Sequence, residues 1–119
     1  MTTNPTTVAL DSDLNQQILS GKALDAFDQY YASHCVMQEG TGEPRVGKEA
    51  NRKYEEDFFG SVAEVHNVEL VGSAVSGDRS YSEWIFDVTF KNGERVKLTQ
   101  TAVRQWKDGK IEHERFYSA

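Results

Sequence analysis

The chain holds three histidines, one cysteine and 19 acidic residues, and their spacing decides which chemistries are open to it. His34, His66 and His113 form no H-x-H, H-x-x-x-H or H-E-x-x-H pair. A zinc or iron site needs ligands spaced to share one face of an element, so no metal is expected. Cys35 has no second thiol for a disulfide or a cluster and no histidine assigned to activate it, so it reads as a buried, inert thiol suited to a reducing compartment. Phosphate loops, nucleophile signatures and dinucleotide fingerprints are missing from the sequence, and no cofactor is expected. What remains is acid–base chemistry. Glu39 or His113 could move a proton, and Arg104 could face an anionic oxygen.

These residues need elements to position them. Pro5 followed by Val8, Leu10, Leu14 and Ile18 reads as a helix closed near Ser20 by Gly21, and Ala23, Leu24, Phe27 and Tyr31 form the stripe of a second. A short strand over His34–Glu39 leads into the turn-rich residues 40–45. Residues 48–60 read as a third helix with a thin apolar edge of Ala50, Tyr54 and Phe58. From Val62 to Tyr117 the pattern is β, joined by turns at Ser76-Gly77-Asp78, Asn92-Gly93 and Asp108-Gly109.

The register of the central hairpin follows from matching apolar residues. A three-residue Lys91-Asn92-Gly93 loop with a glycine bulge sets Trp84, Phe86 and Val88 opposite Gln100, Leu98 and Val96. One face then carries Trp84, Phe86, Val88, Phe90, Val96, Leu98, Gln100, Ala102, Arg104 and Trp106, and the helices are expected to cover it. An arginine in that wall requires a partner, for which Glu114, Glu112 and Glu39 are the candidates.

The composition, 38% apolar and 27% charged over 119 residues, fits one globular domain. A net charge of −6 with scattered basic residues argues against a nucleic-acid partner. No run approaches the ~20 apolar residues of a membrane span, and the start lacks the features of a secretion signal, so a cytoplasmic location is expected. Residues 1–7 read as a loose tail ahead of a domain spanning 8–119.

The element order resembles the nuclear-transport-factor-2-like superfold. Glu43-Pro44-Arg45-Val46-Gly47 and Trp106-Lys107-Asp108-Gly109-Lys110-Ile111 resemble motifs of its SnoaL-like members. The resemblance covers roughly residues 8 to 117 and rests on structural words: turn glycines, the start of a helix and a core tryptophan. It implies an α+β cone-shaped barrel, with three helices in the concave face of a strongly curved, mostly antiparallel sheet in the order α-α-β-α-β-β-β-β. It also implies a pocket between sheet and helices, and a homodimer.

The chemistry of particular members carries over poorly. Aligned with ketosteroid isomerase, Gln38 or Glu39 falls near the base, but Leu14 and Ala102 occupy the two donor positions. In the run Gly109 to Tyr117, the aspartate of the polyketide cyclases is replaced by Arg115 or Phe116. The resulting expectation is a protein that binds a small, largely apolar organic molecule, acting either as a cofactor-free isomerase, cyclase or dehydratase or as a non-catalytic binding or dimerisation module. The expected lining is Tyr31, Tyr54, Phe58, Trp84, Phe86, Gln100, Trp106 and Glu114. The outer face, with Ile85, Thr89, Thr99, Thr101 and Val103, is the expected dimer surface.

Overall fold

The computed structural model describes residues 5–118. Three helices, α1 (Pro5–Leu19), α2 (Ala23–Tyr30) and α3 (Lys48–Gly60), accompany six strands: β1 (Tyr31–Glu39), β2 (Arg45–Val46), β3 (Val62–Ser76), β4 (Arg79–Phe90), β5 (Arg95–Lys107) and β6 (Lys110–Ser118). The strands form one sheet in the order β2-β1-β6-β5-β4-β3. All its pairings are antiparallel except that of β1 with β6.

The expected α+β architecture is present, with one change. The sheet does not close into a barrel: β2 and β3 are its two edges. The reason is that α3 packs on β1 and β2 and also touches β3, so a helix, not a hydrogen-bonded strand, fills the space between the edges. The two-residue β2 arises inside the segment that reads as turn, where Met37 pairs with Arg45 and Val36 with Val46.

Local chemistry explains most boundaries. After α1, Gly21 takes φ 78°, and the Lys22 and Gly21 amides donate to the carbonyls of Gln17 and Ile18 at 2.8 and 3.1 Å, the paired bonds of a glycine-terminated helix. Already at Pro5 α1 has begun and Thr7 is buried, so residues 5–7 are helix rather than tail. The remainder of the expected tail, residues 1–4, lies outside the described residues. Tyr31 leaves the second helical stripe and opens β1, whose backbone is extended from that residue on.

The central hairpin has the expected register. Trp84 faces Gln100, Phe86 faces Leu98 and Val88 faces Val96, and Gly93 at φ 91° forms the bulge that a side chain would strain. Buried Trp84, Val88, Ala102, Arg104 and Trp106 place the helices over the expected face. The main apolar core lies toward one end of the sheet, where Leu14, Phe27, Tyr30, Tyr31, Cys35, Met37, Trp106 and Ile111 pack together.

Two helices present a different stripe from the apolar one. In α1 the buried positions are Thr7, Asp11, Leu14 and Asn15, while Val8 is exposed. In α3 Asn51 is fully buried while Tyr54 is 42% exposed. Both helices are turned by buried polar side chains that find partners on the sheet, an outcome that hydrophobic periodicity does not register.

Candidate functional site

Strand parity brings Ser80, Ser82, Ala102, Arg104 and Glu114 onto the concave face, under α1. Arg104 is 2% exposed and sits between two carboxylates. Its Nε donates to Glu114 at 2.8 Å, and its Nη1 donates to Asp11 at 2.8 Å and to the Asn15 amide oxygen at 2.8 Å. Ser80 Oγ donates to Asp11 at 2.6 Å and accepts from the Trp106 indole N–H at 3.0 Å, while Asn15 donates to Ser82 at 3.0 Å. The Tyr31 hydroxyl donates to the other oxygen of Glu114 at 2.5 Å.

Burial alone would lower the basicity of the Arg104 guanidinium, but the carboxylates of Glu114 and Asp11 outweigh it and hold the charge firmly in place. Burial and the neighbouring Glu114 charge push the Tyr31 phenol well above its ordinary range, so it stays a donor. Of the three candidate partners for Arg104, the structure selects Glu114 and adds Asp11 from α1.

A second cluster lies at the rim. Arg45 makes a two-point pair with Glu39 at 2.5 and 2.9 Å and stacks over the Tyr54 ring at 3.5 Å from its centre. Asn51 anchors this corner, accepting from Arg45 Nε at 3.2 Å and donating to the carbonyls of Gly47 and Arg45 at 2.8 and 3.0 Å. One turn along α3 from Asn51 comes Glu55, half-buried on the inward side. Burial, followed by the charge of Glu114, raises its carboxyl to about 7, with Arg45 pulling the other way.

Between these clusters and the far end of the sheet, the concave face is only partly covered. Phe86, Leu98, Gln100 and Phe116 lie on it and are only half-buried. Trp84 stacks on Phe86 with ring centres 5.6 Å apart, and Phe58 of α3 meets Phe90 edge-on at 5.9 Å, closing one side. A separate cleft of about 370 Å³ lies between α1 and β3, with Asp11 and Asn15 in its wall.

The expected catalytic trio does not converge. His113 pairs across from Gln105 and Val36, on the convex face, because parity alternates from Glu114, which points inward. Glu39 and Arg104 share the concave side but belong to different ion pairs. Trp84 and Trp106 are on the concave face but fully covered, and Tyr54 lies outward beneath Arg45. Phe58, Phe86 and Gln100 are half-buried, while Tyr31 and Glu114 are buried. Asp11, Asn15, Glu55, Ser80 and Ser82 were not legible as site residues from apolar patterning. Their signal is polar residues at helical spacing on α1 and α3, facing two small serines two residues apart on β4.

A SnoaL-like domain family model matches residues 15–114. A crystal structure of a protein from Mesorhizobium loti, described both as a SnoaL-like polyketide cyclase and as a carbohydrate phosphatase, is 31% identical, with 92% of this chain and 97% of that one covered and a TM-score of 0.84. A SnoaL-like polyketide cyclase structure from Jannaschia is 13% identical over 99% of this chain and 90% of that one, with a TM-score of 0.82. A ketosteroid-isomerase-like protein from Catenulispora acidiphila, solved with trimethylamine, is 15% identical over 97% of this chain and 86% of that one, with a TM-score of 0.72. No curated protein matches the chain.

Proposed function

Because the chain belongs to the SnoaL-like domain family, we propose that it binds a small, largely apolar organic molecule in the open trough of the concave face and works on it by cofactor-free acid–base chemistry. The observation that carries this reading is the row Phe86, Leu98, Gln100 and Phe116, half-exposed on the covered side of the sheet and running up to the buried Tyr31–Glu114–Arg104 chain. An apolar wall with a few placed polar groups at one end is what a small-molecule site requires.

Charge chooses between the activities given for the 31% identical relative. Around the trough stand Glu39, Glu55 and Glu114 against Arg45 and Arg104. That excess of acid repels a phosphate ester, which favours proton-transfer chemistry of the cyclase or isomerase kind over a phosphatase. A non-catalytic binding module is the second reading, favoured by the Arg104 network, in which every buried side-chain polar atom already has a partner within the protein. In either case we assign a homodimer through the convex face.

The test is a titration with 2-acetylnaphthalene, read by quenching of tryptophan fluorescence, since Trp84 is stacked on the trough residue Phe86. Saturable quenching is expected. Leu98→Arg, which puts a charge in the trough, should abolish it while the far-ultraviolet spectrum stays unchanged. No saturation in the wild type up to about 1 mM, equivalent to less than ~4 kcal/mol of binding, overturns the pocket reading.

A further inference from the structure

We propose that Glu55 is the residue that exchanges a proton with the molecule in the trough, in place of Glu39 or His113; this rests on the pocket reading above. The placement comes from α3. Asn51, Glu55 and Phe58 fall at i, i+4 and i+7, on one stripe. Asn51 is tied to the β1–β2 corner and Phe58 to Phe90 of β4, so Glu55 between them faces the gap between those two ends of the sheet.

Elimination points the same way. Glu39 is held by Arg45, Glu114 by Arg104 and Tyr31, and Asp11 by Arg104 and Ser80. His113 is on the convex face. Among the described residues Glu55 alone in this group has neither a hydrogen bond nor an ion pair, so its oxygens are available to a ligand. The charged and titratable groups around it are Glu39 and Tyr31 from β1, Arg45 from β2, Glu114 from β6 and Tyr54 from its own helix, with Arg104 of β5 behind Glu114. Burial first, and then the fixed carboxylates of Glu114 and Glu39 against the opposing pull of Arg45, raise the Glu55 carboxyl to about 7, where it is poised to give and take a proton near neutrality.

The substrate class follows. The acidic surroundings exclude an anion, and the apolar trough favours a neutral carbonyl compound. Glu55 as carboxylate takes a proton from the carbon next to the carbonyl. The C–H bond breaks, its electron pair passes to the oxygen as an enolate, and Glu55, now the acid, returns the proton to another carbon. Nothing is oxidised or reduced.

The probe is 5-nitrobenzisoxazole, a small neutral aromatic. Loss of its ring C–H proton to a carboxylate breaks the N–O bond and releases a coloured cyanonitrophenolate. The protein should accelerate this over an equal concentration of acetate, with a rate that rises with pH around a midpoint near 7. Glu55→Gln should lower the rate at least about tenfold, the low end of what a positioned base supplies, without loss of probe binding. Glu69→Gln, on the exposed side of β3, should leave the rate within twofold. Turnover in Glu55→Gln equal to wild type with the probe bound, an equal loss in Glu39→Gln but not in Glu55→Gln, or no acceleration over acetate each overturns the proposal. Failure of the probe to bind at all overturns the pocket reading and the proposal with it. Independently of any variant, a carbon-13 carboxyl titration of the wild type should show Glu55 well above the other glutamates; titration among them refutes it.

Discussion

Arg104→Met is the sharpest perturbation of this fold. The wild-type side chain is 2% exposed and its two partner carboxylates are 3% and 2% exposed, each with an oxygen 2.8 Å from a guanidinium nitrogen. At an effective dielectric of ~20, each contact is worth about 6 kcal/mol of gross attraction. Against that stands the desolvation of three ions at several kcal/mol each, so the intact network contributes little net stability. Methionine preserves much of the volume but leaves Asp11 and Glu114 buried and uncompensated. The expected loss is roughly 3–5 kcal/mol, a large share of the ~5–15 kcal/mol available to a domain of this size. Urea denaturation followed by tryptophan fluorescence measures it. Adding Asp11→Asn and Glu114→Gln to the methionine variant should recover at least about half of the loss, by removing both stranded charges. A single-variant loss below about 1 kcal/mol, or no recovery in the triple variant, would show that the charges are not isolated from water and would refute the reasoning.

Three further outcomes are expected. Trp84→Ala should cost roughly 3–5 kcal/mol in the same denaturation assay, as the truncation of a 2% exposed indole; a loss under about 1 kcal/mol contradicts its place in the wall. Glu55→Gln should flatten the pH dependence of stability. The Glu55 pKa is raised on folding from 4.5 to about 7, so its ionisation opposes folding as pH rises through that window, and the amide should gain up to about 3 kcal/mol at pH 8 and nothing at pH 4, as read by urea midpoints. Thr101→Arg, on the convex face beside Glu83 and Tyr117, should convert the proposed dimer to a monomer with the fold intact; light scattering that already gives a monomer mass for the wild type at tens of micromolar rules that dimer out.

The sheet was far more legible than the site. Alternating apolar residues and an Asn-Gly loop determine the register of β4 against β5 and the covered face, because a one-residue slip would expose Trp84, Phe86 and Val88 together. The length of α3 could be read from its run of helix formers and closing glycine. Its rotation could not. Asn51 is buried because Arg45 and Gly47 offer it carbonyls, and those partners exist only after the β1–β2 corner has formed. Asp11 and Asn15 were hidden for the same reason: their partners Ser80, Ser82 and Arg104 lie at least 67 residues away in sequence. Glu112 and Glu114 were equal candidates for Arg104 until the bulge between Gln105 and Trp106 set which one points inward.

That separation also orders assembly. Arg104 and Asp11 are 93 positions apart, so the hairpins of β3 to β6, being local, can pair while the guanidinium remains hydrated. Only when the first helix arrives can water leave this end of the sheet without stranding a charge. Closing such a long loop is slow, so docking of the amino-terminal helix and drying of the cavity floor should be one late, shared event after the folding barrier. Asp11→Asn would then speed unfolding and leave the folding rate nearly unchanged; a chevron in which it chiefly slows folding would place the helix in the nucleus instead. A polar cluster that adds little to net stability thereby acts as a checkpoint, since the interior cannot seal around an incomplete set of partners.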